Sequence, residues 1–153
     1  MTMLRYHTTA FYDASPETIF PILADFGRME EWNPNVRTST TLSGEPLQVG
    51  TEVRCELRWP FPPSTSLHAT LKAIDVPHRV TYHERTTFGP FTLGEAEDRL
   101  TLLEGSDGTV VTFETEAHLN SVFRIAKLLP LSFYERQLDR VAEGLRTRLH
   151  ASS

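Results

Sequence analysis

The sequence predicts one α+β domain in which a curved antiparallel β-sheet wraps a long C-terminal helix, with two short helices after the first strand. Three observations carry this reading. Apolar and polar residues alternate through most of the middle of the chain, as in strands with one dry face. The strands follow one another across short turn signals, which implies an antiparallel meander. The last twenty or so residues carry instead an apolar stripe at helical spacing, on the only element long enough to cover the dry face of such a sheet.

The elements follow in order. Leu4 to Asp13 alternate loosely and are rich in Tyr, Thr and Phe, which favours a strand. Ser15-Pro16-Glu17-Thr18 starts a helix: the serine oxygen caps free amides, proline suits the first turn, and the glutamate sits at the positive end of the dipole. Ile19, Phe20, Leu23 and Phe26 then form one apolar stripe, and Pro21 lies early enough to cost little. Gly27 breaks this helix, Arg28 to Trp32 form a second short turn, and Asn33-Pro34 ends it. From there to Leu119 strand follows strand. In Glu52 to Trp59, Val53, Cys55, Leu57 and Trp59 alternate with Glu52, Arg54, Glu56 and Arg58, until Pro60, Pro62 and Pro63 stop the run. Leu67, Ala69, Leu71 and Ala73 mark the next strand, and Val80 to Thr87 the one after Pro77. Phe91 to Leu103 is long for a strand, and Gly94 within it suggests a bend or bulge. Gly105-Ser106-Asp107-Gly108 reads as a hairpin turn into Thr109 to Leu119. Pro130 divides the remainder into a short helical segment, Ser121 to Leu129, and a main helix from Leu131 to His150. Phe133 or Tyr134, Leu138, Val141, Leu145 and Leu149 make its apolar side.

With 153 residues, 39% of them hydrophobic and 23% charged, the chain suits a single ordered domain spanning residues 1–153. Its net charge of −5 and the lack of any basic run argue against nucleic acid, whose phosphates require clustered Lys and Arg. One cysteine, Cys55, leaves no internal disulfide and fits a reducing compartment. Met1 to Tyr6 has no signal-like apolar core, and no stretch approaches the ~20 apolar residues of a membrane span. A cytoplasmic protein without integral membrane association is therefore expected. The histidines His7, His68, His78, His83, His118 and His150 lack metal-ligand spacing and fall mostly on wet strand phases, so no metal is expected. No cofactor is expected either, since no phosphate loop, nucleophile elbow or dinucleotide fingerprint is present. The residues leave oligomeric state open.

Several short stretches recur in a known order: Asp13-Ala14-Ser15-Pro16-Glu17 with Ile19-Phe20, Leu23-Ala24-Asp25-Phe26, and Glu31-Trp32-Asn33-Pro34. Val49-Gly50-Thr51, Pro77-His78-Arg79-Val80 and Asp107-Gly108-Thr109-Val110-Val111-Thr112 continue the series. In this arrangement the chain resembles, over nearly its whole length, the helix-grip (SRPBCC) superfamily of birch-pollen-allergen-like proteins, START lipid-transfer domains and polyketide cyclase/dehydrase proteins. The resemblance implies a cavity between sheet and helix for lipids, sterols, polyketides or plant-hormone-like molecules. It implies no shared catalytic triad, so function must be argued from the site.

Alternation turns Tyr6, Tyr12, Val53, Cys55, Leu57, Trp59, Leu67, Leu71, Val80, Tyr82, Asp98, Leu100, Leu102, Val111, Phe113 and Thr115 toward the helix. Such a mostly apolar lining suits a pocket of ~300–1,000 Å³, and a solid core would use the same residues. The candidate ligand contacts are Tyr12, Trp32, Asn33, Cys55, Leu57, Trp59, Leu71, Tyr82, Leu100, Phe113, Thr115 and Phe133. Trp32 either closes the pocket or plugs the helix against the sheet. Phe61, Phe88 and Phe91 form an apolar lip or pack loops against the domain. Cys55 reads as a small core residue.

Two carboxylates share the dry phase: Asp98 with Ala96, Leu100 and Leu102, and Glu84 with Val80 and Tyr82. Desolvation raises the pKa of such a group and fits it for general acid or base catalysis. The alternatives are an ion pair with an arginine, or a bulge at Gly94 that turns Asp98 to solvent. The expected function is binding of a small hydrophobic molecule (a lipid, polyketide or aromatic metabolite). The alternatives are an aromatase/cyclase or dehydratase-type enzyme using Asp98 and Glu84, or a protein-interaction or quinone-associated module that works through its surface.

Overall fold

A computed structural model describes residues 2–58, 65–120 and 129–151. Strand β1 (Thr2–Tyr12) leads into helix α1 (Pro16–Ala24) and a short 3₁₀ helix (Phe26–Glu31). Strands β2 (Val36–Ser43), β3 (Glu52–Leu57), β4 (Thr65–Asp75), β5 (Arg79–Phe88), β6 (Phe91–Glu104) and β7 (Thr109–Leu119) follow, then helix α2 (Leu131–Ala151). All seven strands join one curved antiparallel sheet in the order β1-β7-β6-β5-β4-β3-β2. Each strand from β2 to β6 thus pairs with its successor, and the chain's first strand pairs with its last. The meander read from the sequence is the one formed.

Local chemistry accounts for the helix starts. The Thr18 amide donates to Ser15 Oγ at 3.3 Å, and Pro16 occupies the first turn, where its missing N–H is no loss. Ile19, Phe20 and Leu23 point inward and are fully buried, packing α1 over the sheet. The 3₁₀ helix continues the cap through Phe26, Met29 and Trp32, all buried.

The long helix is tied to β1 by polar contacts as well as packing. Tyr12 donates its hydroxyl to the Ala142 carbonyl at 2.7 Å, and Arg146 donates to the Phe11 carbonyl at 2.9 Å while lying 4.8 Å above the Tyr12 ring. Further toward the helix start, Thr8 donates to Asp139 at 2.5 Å, and the rings of Tyr6 and Tyr134 meet at 5.3 Å. Inside, Val141, Ala142 and Leu145 are buried, with Leu138 and Leu149 packed against the core. Gly144 lies where α2 crosses the backbone of Trp32: a β-carbon there would run into the Trp32 carbonyl oxygen.

A few boundaries differ from the sequence reading. Strand β3 ends at Leu57 rather than Trp59, and Trp59, Phe61 and most of the expected helical segment Ser121 to Leu129 lie outside the described residues. The β6 irregularity is real. Register shifts between Thr86 and Thr87, leaving Leu93 and Gly94 successive and both buried. Gly94 is required there, because a β-carbon would lie 2.8 Å from the His118 carbonyl oxygen. The bulge precedes Asp98 and restores the alternation before reaching it, so Asp98 stays inside, 8% exposed.

Candidate functional site

Strand register lines the inner face of the sheet into rows. One row runs Tyr6 (β1), Thr115 (β7), Asp98 (β6), Tyr82 (β5) and Leu71 (β4), each residue directly opposite the next. The neighbouring row runs Leu4, Ala117, Ala96, Glu84, Ala69 and Val53. Glu84 therefore has a small methyl side chain on either flank, and Gly94 follows in the next row. Glu84 and Asp98 are diagonal neighbours across the β5–β6 hairpin, a separation of about 7–8 Å that side chains of their length can span.

Four polar members of these rows, Tyr6, Thr115, Asp98 and Glu84, form one hydrogen-bonded chain. Thr115 Oγ1 donates a short hydrogen bond to Asp98 Oδ1, and the Tyr6 hydroxyl pairs with Thr115. Glu84 and Asp98 are hydrogen-bonded to each other. Two carboxyl groups can bond only if one carries a proton. Thr115 already uses its hydrogen toward Asp98, so the consistent assignment makes Asp98 the acceptor and Glu84 the acid. Burial is the largest cause of the rise in both pKa values. For Glu84, held well above the usual carboxylate range, the charge of Asp98 and the bond to it add to the effect. For Asp98, the bonds from Glu84 and Thr115 offset part of the rise. Among the described residues neither carboxyl has an ion-pair partner, so the expected alternative of an arginine bridge is not formed.

Tyrosines complete the group. Burial, then the charges of Asp98 and Glu84, push the Tyr6 hydroxyl far up, and the same causes act in the same order on Tyr82. Tyr82 is only 6% exposed and its ring is packed by Phe26 at 4.2 Å, yet its hydroxyl makes no hydrogen bond with any described residue. Cys55, also inside, has its thiol pushed up to about 12, by burial first and by Glu84 next. It is an inert core residue, as its surroundings in sequence suggested. No cluster of three or more His, Cys, Asp or Glu side chains able to hold a metal occurs among the described residues.

The other candidate residues divide into three groups. Leu57, Leu71, Leu100, Phe113 and Thr115 are buried on the inner face as expected. Tyr12, Trp32 and Asn33 are engaged in structure. Tyr12 anchors α2 through Ala142. Trp32 is 3% exposed within the core, its carbonyl against Gly144 and its indole N–H without a protein partner. The Asn33 side chain accepts the Asn35 amide at 2.9 Å, which makes a local turn. Phe133 is half-buried at the start of α2, edge-on to Tyr134 at 5.4 Å, and Phe91 is exposed at the β5–β6 turn, opposite Phe88. Tyr6 was read only as an inward residue, and Tyr134 only as a stripe alternative. What makes them part of the site is the β1–β7 register, which no local pattern reveals.

Two hollows lie on the surface, the first of them reaching Tyr6 and Thr115 of the first row. One, of about 270 Å³, is lined mainly by outward charged side chains of β1, β6 and β7, including Arg5, Glu97, Arg99 and Glu116. The other, of about 540 Å³, lies on the outer side of α2 beside Pro34, Arg136 and Gly144. Neither is the apolar interior cavity that the family resemblance implies. No helix among the described residues is long and apolar enough to cross a membrane.

Comparison with known proteins places this geometry. Solved structures share the fold over almost the whole chain. A protein of Thermus thermophilus superposes with a TM-score of 0.79 at 15% identity, covering 98% of this chain and 99% of its own. A START superfamily protein from Mycobacterium smegmatis gives 0.72 at 16% identity, covering 97% and 99%. The major latex-like protein 151 of Panax ginseng gives 0.73 at 12% identity, covering 95% and 96%. No curated protein matches the sequence. The sequence model for polyketide cyclase/dehydrase and lipid transport proteins matches residues 3–150, and the chain belongs to that family.

Proposed function

We propose that the protein binds a small hydrophobic molecule between the inner face of the sheet and α2, over the row that holds Glu84. The observation that carries this is the size of the side chains there. Ala69, Ala96 and Ala117 lie with Glu84 on its row and Gly94 follows, whereas the large inner-face side chains, Leu71, Tyr82, Leu100, Val111 and Phe113, lie in other rows. A sheet designed only to pack against a helix would fill that region, since close-packed interiors leave few voids. Small residues around a carboxyl leave a recess with few polar groups, the arrangement that ligand sites use for orientation. The family's description, with its cyclase/dehydrase and lipid-transport members, is consistent with an occupant of this class.

Titration with the neutral dye Nile red, followed by its fluorescence, tests the reading. Ala96→Leu and Ala117→Leu each add a branched side chain to the recess and are expected to weaken binding at least tenfold. Their melting temperatures are expected to stay within a few degrees of the parent. Equal affinity in parent and both variants would remove this site as the binding place.

A second reading, acid–base catalysis on the bound molecule, is favoured by the Glu84–Asp98 pair alone, because one member holds a proton and the other lacks it. Here Asp98→Asn is expected to abolish turnover of the bound substrate while leaving its affinity within a few-fold. Unchanged turnover would leave binding as the whole function.

A further inference from the structure

Three groups at the recess have fixed hydrogen-bonding needs. Asp98 is the acceptor for both Thr115 and Glu84. Glu84 gives its proton to Asp98, which leaves its second oxygen as an acceptor with no donor assigned. Tyr82, two residues earlier on the same face of β5, is more than nine-tenths buried, lies in the electrostatic field of both carboxyls, and has a hydroxyl bonded to no described residue. The hydroxyl is not sealed off: among the described residues only the Trp32 indole N–H is a fully enclosed polar atom without a partner, so the Tyr82 oxygen can be reached by a bound molecule. The recess thus offers one donor, from Tyr82, beside one acceptor, from Glu84, next to a carboxylate. A carboxylate head on a ligand would face Asp98 with no compensating cation among the described inner-face residues, whereas a hydroxyl both accepts and donates and carries no charge.

We propose that Tyr82 and Glu84 form a subsite for a hydroxyl group, so that the molecule bound is a neutral hydrophobic alcohol or phenol rather than a fatty acid. The assignment rests on the proposed binding site and names the polar end of its occupant. Tyr82 donates to the ligand oxygen, and the ligand hydrogen goes to the free oxygen of Glu84. One hydroxyl thus engages both groups, the donor and the acceptor, at the same time. Specificity follows from this, because a polar site rejects an analogue that leaves its groups unpaired more strongly than an apolar wall rejects a change of shape.

Four probes with one apolar body separate the possibilities: 2-naphthol, 2-methylnaphthalene, 2-naphthoate and 2-naphthylmethylammonium, each titrated at pH 7 by fluorescence. 2-Naphthol is expected to bind about tenfold more tightly than 2-methylnaphthalene, the gain that two net hydrogen bonds supply. 2-Naphthoate is expected to bind at least tenfold more weakly than 2-methylnaphthalene. In Tyr82→Phe, which keeps the ring packed on Phe26, 2-naphthol should fall to the level of 2-methylnaphthalene while the latter changes less than twofold. Equal binding of 2-naphthol and 2-methylnaphthalene in the parent overturns the subsite but leaves the apolar recess standing. Tightest binding by the ammonium probe overturns it in favour of an anionic site for amines. If none of the four binds, the recess itself fails, and the subsite with it.

Discussion

Gly144→Ala is expected to destabilise the protein by about 2–4 kcal/mol, although alanine is the better helix former by roughly 1 kcal/mol. The loss comes from the crossing of α2 over the chain that follows the 3₁₀ helix. A β-carbon at residue 144 would overlap the Trp32 carbonyl oxygen and lie 2.7 Å from Pro34 Cδ. Neither atom is the end of a flexible side chain, so the helix or the segment must move as a unit. Leu145 and Ala142, buried on either side of Gly144, would be lifted with it. For a chain of this length each kcal/mol is worth about 2–4 °C, so a melting temperature lower by roughly 10 °C is expected in a circular-dichroism melt. A variant that melts at or above the parent would show that α2 does not need this approach.

The same glycine shows where the sequence could be read and where it could not. Every strand with a buried face from β3 to β7 was legible, because alternation is a local property and those faces meet a common core. Strand β2 was far less so. Only Val36 of its eight residues is buried and the rest are Thr, Ser, Arg and an exposed Leu, since β2 is a sheet edge with little to hide. A lone glycine within a helical pattern has a known meaning, a close approach or a cost with a reason. That clue was available at Gly144, but the partner, the Trp32 carbonyl, depends on a crossing more than one hundred residues away in sequence.

The carboxyl pair lies between these extremes. Phase alone put Asp98 and Glu84 on the inner face; the structure buries Asp98 and leaves Glu84 half-buried beside it. Their contact depends on the β5–β6 register and on a bulge at Leu93–Gly94 that moves the pairing by one residue. Without that bulge the alternation on either side would be out of step, so its position mattered as much as its existence. Tyr6 needed still more, since it enters only because β1 closes the sheet against β7. Pairing across nearby hairpins was therefore half visible, whereas pairing between the ends of the chain was not. Trp32 and Asn33 differ for another reason. Their motif marks the family, but here one fills the core and the other folds a turn.

Because burial and the neighbouring Asp98 hold the Glu84 carboxyl above its ordinary range, Glu84→Gln is expected to raise stability as the pH climbs above the unfolded value and to leave it unchanged near pH 4. In the unfolded chain a glutamate ionises near ~4.3. Burial and the neighbouring Asp98 hold the folded Glu84 well above that value, and burial moves Asp98 the same way. Between the unfolded and folded pKa values the native protein binds more protons than the unfolded one, so its stability falls as pH rises through that window. One proton gives a slope of up to about 1.4 kcal/mol per pH unit, or roughly 3–5 °C of melting temperature. Below the unfolded value both states are protonated and the penalty is absent. Glutamine keeps the shape, retains an N–H to donate to Asp98 and an oxygen that accepts, and takes up no proton on folding. The quantity to measure is the gap between parent and variant melting temperatures from pH 4 to pH 8, in which the contributions of the exposed carboxylates cancel. It should widen with pH by several degrees. Parallel curves would mean that Glu84 ionises in the folded protein as it does in water, and the shared proton, with the hydroxyl subsite built on it, would have to be abandoned.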